Sequence, residues 1–418
     1  MRHPLRHVQK IWRKAGPGLI TGASDDDPSG IATYSQAGAA FGFGTLWTAP
    51  FTFPLMAAIQ EMCARIGMVT SMGLTGTLKK HYHPMVLYTM LLFSFPAIII
   101  NIAADIAGMG AVGNLIIPEI DADWFGILFT LLLLASIIYF PYKKIAMLMK
   151  YLCISLLVYV AIPFLSDQDW TNIFHESCFP DIHATKEYIA MLTAIFGTTL
   201  SPYLFFWQAH MEVEHFQSQK KETVIDKRLL HGIRKEVWAG MFYSNLIMFF
   251  IILTTGSVLH VHGIRQIETV EQAAAALQPL AGKHAYLLFA SGVIGTGFLA
   301  IPVLCGSLSY ILCETFGWEM GLDKKFHEAR PFYLIIIVSM IVGLLLNQCG
   351  ISPIKALVYS AILYGITAPV LIAIILHIAN REEIMKGYRN NLLSNFLGVI
   401  ALAVMTLCAL FLLYLQLK

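Results

Sequence analysis

A chain of 418 residues that is 57% hydrophobic and only 13% charged is not an ordinary soluble domain, where about a quarter of residues carry charge. The formal net charge of +2 says little by itself, and nucleic acid is not an expected partner. Seven cysteines stand singly, without a C-x-x-C pair or zinc-ligand spacing, so no disulfide framework or zinc module is expected.

The chain opens on a basic stretch, Met1–Lys14, followed by apolar residues, as a signal peptide does. Charge and proline interrupt those residues and no small-residue cleavage site follows, so residues 1–15 read as a basic cytoplasmic amino terminus. Long apolar runs then recur, and about 20 such residues in a helix cross a bilayer core. Only a helix or a closed barrel satisfies its backbone in lipid, and runs without strict alternation are helices. Five spans fall within residues 16–165: Gly16–Phe41, Leu46–Val69, Pro84–Ile117, Trp124–Phe140 and Ile145–Leu165. Residues 166–186 form an acidic outer loop. Five more spans fall within residues 187–379: Glu187–His210, Val237–His260, His284–Cys313, Pro331–Asn347 and Ser352–Ala379. Residues 380–418 add a loop and an eleventh span, Leu392–Leu415. The longest connections, Ser166–Lys186, Glu212–Glu236 and Val261–Lys283, read as loops.

With the amino terminus inside, 23 of the 28 Lys and Arg fall in inner segments and helix ends. Basic residues accumulate on the cytoplasmic side. The expectation is a multi-pass protein of the plasma (inner) membrane, amino terminus cytoplasmic, carboxyl terminus outside if there are eleven helices. Cys178 and Cys349 both fall outside on this topology; whether they meet does not follow from the sequence, and neither does the oligomeric state.

Two spans are broken at their centres. The first carries Ser24-Asp25-Asp26-Asp27-Pro28-Ser29-Gly30, and the sixth carries Gly197-Thr198-Thr199-Leu200-Ser201-Pro202-Tyr203. Proline removes a backbone donor and glycine permits unwinding. Carboxylates at the centre of a bilayer are costly and mark function. Interrupted segments at matching places in two five-helix halves point to an inverted-repeat transporter whose site lies at the breaks. Carboxylates, hydroxyls and freed carbonyls suit hard divalent cations. No Met, Cys or His lies between Gly22 and Gly30, or between Gly197 and Tyr203.

These stretches resemble the Nramp family of divalent metal transporters, which have a LeuT-type fold. The family's D-P-G-N in helix 1 corresponds to Asp27-Pro28-Ser29-Gly30, and its A-x-x-M-P-H in helix 6 to Thr198-Thr199-Leu200-Ser201-Pro202-Tyr203. Its stretch after helix 2 is matched by Gln60 to Gly67 and Thr70, and the opening Gly16-Pro17-Gly18 agrees. The resemblance implies an all-α membrane protein, a 5+5 inverted repeat plus one helix, with Asp27 as principal metal ligand and Gly30, Thr198 and Ser201 beside it. The family's asparagine is here Gly30, its methionine Ser201 and its alanine Thr198, which implies a wider, harder site. That pattern is similar to the Nramp-related magnesium transporters. The D-x-A-E of helix 3 becomes Asp105-Ile106-Ala107-Gly108, and Tyr203 replaces the histidine of helix 6, so uncoupled import of partly hydrated Mg²⁺, with Mn²⁺ also accepted, is expected. The alternative is a proton-coupled Mn²⁺ or Fe²⁺ transporter. No enzyme or cofactor is implied; the ion is cargo, and the other partner is the lipid bilayer.

Around this core, Asp25, Asp26, Thr199, Tyr203 and Asp105 are candidates for the vestibule or for holding the ion's water. Asp105 reads equally well as a helix-packing carboxylate. His210, Glu212, Glu214 and His215 lack the H-E-x-x-H order of a zinc enzyme and read as a solvated helix end. Trp124, Trp170 and Trp318 read as interface anchors.

Overall fold

The computed structural model describes residues 17–140, 154–165, 168–218, 226–347 and 350–417. Among these residues every regular element is helical. The first segment is split into α1 (Pro17–Asp25) and α2 (Pro28–Phe41). Next come α3 (Thr48–Thr70), the short α4 (Leu74–His81), α5 (Pro84–Ile116) and α6 (Ala122–Tyr139). Helical turns over Ile154–Leu165 include α7 (Val158–Ala161), and α8 (Trp170–Cys178) follows. The second split segment is α9 (Lys186–Thr199) with α10 (Pro202–Ser218). Then α11 (Lys227–Thr255) runs on into a π-turn, Gly256–His260. Two short helices, α12 (Val270–Ala275) and α13 (Gln278–Ala281), precede α14 (Ala285–Phe316) and α15 (Arg330–Leu346). The chain closes with α16 (Pro353–Asn380), α17 (Glu382–Met385) and α18 (Leu392–Leu417).

Among the described residues, seven segments are long and apolar enough to cross a bilayer: α5, α6, α9 with α10, α11 with its π-turn, α14, α16 and α18. The apolar α15 is a shorter ninth span in sequence order. α1–α2 and α3 carry charge inside, at Asp25–Asp27 and at Glu61 with Arg65, and all of these side chains are buried. By contrast α6 and α18 expose Leu128, Leu131, Leu132, Leu407 and Leu410, the apolar surface a lipid-facing helix requires. Residues 145–153 of the expected fifth span, Ile145–Leu165, lie outside the described residues, as do the basic amino terminus and Cys349. Cys178 is exposed with a free thiol.

The packing is that of an inverted repeat. α2 lies on α11, and α10 on α3; α5 lies on α6, and α14 on α15; α3 faces α11, and α5 faces α14. Exchanging the first five spans for the second five interchanges the first two contacts, interchanges the next two, and maps each of the last two onto itself. α18 stands outside this exchange, against α16 and α9.

Three connections expected to be loops contain helix. α8 lies within Ser166–Lys186, α12 and α13 occupy the connection after α11, and α10 and α11 extend to Ser218 and from Lys227 into the third. Local capping explains this. Asp169 accepts from the Thr171 and Asn172 amides, Asp226 accepts from the Leu229 amide at 2.7 Å, and Thr269 and Gln272 form a capping box. The polar composition of these stretches hid helices that are capped but not apolar.

Two contacts fasten α1 and α3 to their neighbours. α1 meets α11 backbone to backbone: a Cβ on Gly22 would stand 2.3 Å from the Gly240 carbonyl, and one on Gly240 2.3 Å from the Gly18 carbonyl oxygen. Gly18-x-x-x-Gly22 is thus a small-residue seam of the kind that lets membrane helices approach closely. At one end of α3, Arg65 pairs with both oxygens of Glu61, at 2.9 and 3.1 Å. The same guanidinium donates to the Tyr388 carbonyl at 2.7 Å and to Asn390 Oδ1 at 2.6 Å, tying α3 to the turn before α18.

Gly22→Ala forces the α1–α11 seam apart and costs about 1–3 kcal/mol, the usual price of overpacking. Gly232→Ala, on the same α11 with no atom within 4 Å of the new Cβ, is neutral or slightly stabilising. Thermal unfolding of the two variants in detergent separates them; equal melting temperatures would deny the close contact.

Candidate metal centre at the two helix breaks

Both breaks are two residues long, Asp26–Asp27 and Leu200–Ser201, and each following half-helix starts on a proline, Pro28 and Pro202. Proline at the first helical position sacrifices no hydrogen bond, since that N–H has no partner within the helix. Asp27 caps α2. Its Oδ1 accepts from the Gly30 amide at 2.7 Å and from the Ser29 hydroxyl at 2.8 Å. Its Oδ2 accepts from the Asn101 amide of α5 at 2.9 Å. Three donors and the positive end of α2 therefore fix one carboxylate at the break.

The second break comes up against the first. A Cβ at Gly30 would stand 3.3 Å from Thr198 Oγ1 and 3.4 Å from Asp27 Oδ1, so the two oxygens face the same point from two half-helices. Thr198 Oγ1 is buried and makes no hydrogen bond. The Thr198 carbonyl, by contrast, accepts from the Ser201 hydroxyl, which also lies 3.4 Å from the Gly197 carbonyl. Thr198 thus presents its hydroxyl to the space over Gly30, while its carbonyl is engaged. Tyr203 OH donates to the Ser24 carbonyl at 3.1 Å, joining α10 to α1 across the two breaks. Thr199 turns back to the Ile195 carbonyl at 2.6 Å, with Tyr34 OH 3.3 Å away, and is held in its own helix.

Asp25 and Asp26 face α11. Ser244 Oγ lies 2.5 Å from Asp25 Oδ2 and 3.3 Å from Asp26 Oδ1. The other oxygens, Asp25 Oδ1 and Asp26 Oδ2, are buried without a hydrogen bond. Asp105 is fully buried on α5, and neither carboxylate oxygen makes a hydrogen bond of ordinary geometry. Buried carboxylates lacking protein partners are expensive and call for an ion, a proton or water.

Four residues of this region were not singled out from the sequence: Asn101, Ser244, Ser360 and Tyr364. Asn101 stands one turn before Asp105 in an otherwise apolar run, and that polar pair on one helix face was the available signal. Ser360 Oγ lies 2.8 Å from Asn101 Oδ1, and the Tyr364 ring, one turn further along α16, lies 5.8 Å from that of Tyr203. One thioether also reaches the region: Met248 Sδ of α11 is 3.8 Å from Thr199 Oγ1.

The cluster on α10 is a correction. His210 and Glu212 are not a solvated helix end but are buried, 5% and 1% exposed. His210 Nδ1 is 3.4 Å from Glu314 Oε1, and Glu314 also accepts from the Gly73 and Gly76 amides at 2.7 and 2.9 Å. Gln208 donates to Glu212 at 2.8 Å, and Tyr310 OH to Glu214 at 2.8 Å. These side chains fasten α10 to α14 and to the start of α4. They had looked solvated because their partners lie far away in the chain. Phe205, Phe206 and Trp207 are buried, and Trp207 lies against Gly306 of α14. Among the described residues no group of three or more His, Cys, Asp and Glu side chains has metal-binding geometry, so any ion here must also draw on hydroxyl, amide, carbonyl or water oxygens.

A membrane bundle of two inverted halves, broken at matching helices around buried oxygens, defines a transporter of the LeuT fold. The chain belongs to the Nramp family: residues 18–415 match the family model described as natural resistance-associated macrophage protein-like. A divalent metal cation transporter MntH of Granulibacter bethesdensis is 22% identical over 396 residues, covering 93% of this chain and 85% of that relative. The MntH of Caldanaerobacter subterraneus is 21% identical and covers 98% and 95%. Among solved structures, the Eremococcus coleocola manganese transporter superposes with a TM-score of 0.75 at 15% identity, over 96% of this chain and 86% of that one. The nucleobase–cation symporter Mhp1 in a closed conformation gives 0.51 at 12% identity, over 96% and 93%. The relatives are transporters rather than enzymes.

Asp27→Ala removes the α2 cap at a cost of about 1 kcal/mol and leaves the fold intact. Divalent-ion uptake into proteoliposomes is abolished in that variant, while its elution on size exclusion matches the native chain. Normal uptake would remove Asp27 from the site.

Proposed function

We propose that this chain imports divalent metal ions by alternating access, Mg²⁺ foremost and Mn²⁺ also, carrying them partly hydrated and without coupled protons. The observation that carries this reading is the pairing of Asp27 Oδ1 and Thr198 Oγ1 across Gly30, a position with no side chain. Hard oxygens converging where no side chain stands suit a dication that takes oxygen ligands and water, as Mg²⁺ does. Ser201 supplies a hydroxyl at the second break where a thioether would favour softer ions. Asp25, Asp26, Tyr203 and Asp105 are assigned to the surrounding water-holding shell and vestibule, and Thr199 to the wall.

The amino terminus is assigned to the cytoplasm of the plasma membrane, with residues 16–165 and 187–379 as the two repeats, joined by the outer segment 166–186. Residues 380–418 add the inner loop and last helix. The driving force is the membrane potential: a dication gains about 4.6 kcal/mol on crossing 100 mV, inside negative. Asp105 has no glutamate three residues on, and Tyr203 OH is engaged by the Ser24 carbonyl, so the acid pair and the histidine that the family resemblance ties to proton movement are both lacking.

A second reading, proton-coupled Mn²⁺ or Fe²⁺ transport, is favoured by the Met248 thioether near Thr199 and by relatives named as manganese or divalent metal transporters. Ion influx into proteoliposomes under a set potential, with a trapped pH dye, decides between them. Mg²⁺ entry without acidification supports the first reading; Mn²⁺ entry with acidification and no Mg²⁺ entry establishes the second. Ser201→Met shifts preference from Mg²⁺ towards Mn²⁺ and Cd²⁺ in the same assay. Unchanged selectivity in that variant would remove Ser201 from the ion's surroundings.

A further inference from the structure

Asp27 Oδ2 is held by one group outside its own helix, the Asn101 amide, at 2.9 Å. Asn101 is fully buried, and its other end meets Ser360 of α16. Ser360 Oγ is 2.8 Å from Asn101 Oδ1 and also 2.8 Å from the Leu357 carbonyl oxygen. A hydroxyl has one proton to donate and two lone pairs with which to accept. With its proton directed at Asn101 Oδ1, Ser360 leaves Nδ2 to donate to Asp27. With its proton directed at the Leu357 carbonyl, Ser360 can accept, and the amide can turn over so that Nδ2 donates to Ser360. Asn101 Oδ1 then lies beside Asp27 Oδ2. Ser360 keeps a hydrogen bond in both arrangements, but the second sets two oxygens side by side, which a cation, its bound water or a proton on Asp27 must stabilise. Amide oxygens are ordinary ligands of hard dications.

We propose that Asn101 is itself a metal-site residue, whose amide turns over when a dication reaches Asp27, bringing Oδ1 into the ion's oxygen shell while Ser360 takes up Nδ2. This rests on the divalent-metal reading above. Gly30 offers an independent check. A side chain there would stand between Thr198 Oγ1 and Asp27 Oδ1, so an asparagine at that position delivers an amide to the same ion from the other carboxylate oxygen.

Titration calorimetry of Mn²⁺ into the purified full chain in detergent tests the proposal. Asn101→Ala weakens Mn²⁺ binding by about tenfold or more, the usual scale for groups supporting a metal ligand. Ser360→Ala weakens it less, and Gly30→Asn added to Asn101→Ala restores most of the loss. A purely structural role for Asn101 would lower the melting temperature and would not be rescued from Gly30. Native-like binding by Asn101→Ala, or a loss that Gly30→Asn does not recover, overturns the proposal. Should Asn101→Ala fail to fold, Ser360→Ala decides, with weakened binding supporting the proposal and an unchanged Kd overturning it. A native chain that binds no divalent ion overturns the metal reading and this inference with it.

Discussion

The structure depends on keeping three consecutive carboxylates inside a membrane protein. Asp25, Asp26 and Asp27 are all buried, in a medium where each unpaired charge costs at least a few kcal/mol. The chain divides the load between two directions. Asp27 turns onto the amide end of α2 and onto Asn101, while Asp25 and Asp26 turn away towards Ser244. Unwinding is what allows this division: in a continuous helix the three would sit on neighbouring faces of one cylinder. The break also frees the amides that Asp27 needs, so the same two unwound residues create the demand and part of its satisfaction.

Holding such a break still requires neighbours that do not give. α1 lies so close to α11 that glycine is the only residue fitting at Gly22 and Gly240, which carries the carboxylates up to Ser244. α10 is fixed from its far end by the His210–Glu314 pair and the Tyr310–Glu214 bond. Arg65 binds α3, on which α10 packs, to the turn before α18. Polar side chains distant from the ion are therefore part of how the site keeps its shape.

The spans and the two breaks were legible in the sequence because they rest on long apolar runs and on Pro, Gly and Asp in the middle of them. Thr198 and Gly30 were legible as neighbours through the pairing of broken helices. Asn101, Ser360, Tyr364 and Ser244 were not, since each is a single polar residue in an apolar helix and gains meaning only when α5, α11 and α16 meet the breaks. The same limit applied to His210 and Glu212. A His and a Glu near a helix end look solvated until the helix that covers them, α14, is in position. Local chemistry was readable; partners a hundred residues away were not.

The position of the centre bears on how an ion crosses. α5, α6, α14 and α15 pack on one another, while α1, α2, α3, α9, α10 and α11 form a second set of mutual contacts. Asp27, Thr198 and Ser201 belong to the second set, Asn101 and Asp105 to the first, and Ser360 and Tyr364 to α16, which touches α5, α9 and α2. Alternating access, as proposed above, requires one body to move against another around a fixed ion. A ligand set drawn from one body alone would travel with it and feel nothing of the motion. The Asp27–Asn101 contact crosses between the two, so on the proposed reading any movement of one body against the other reaches the oxygens around Asp27.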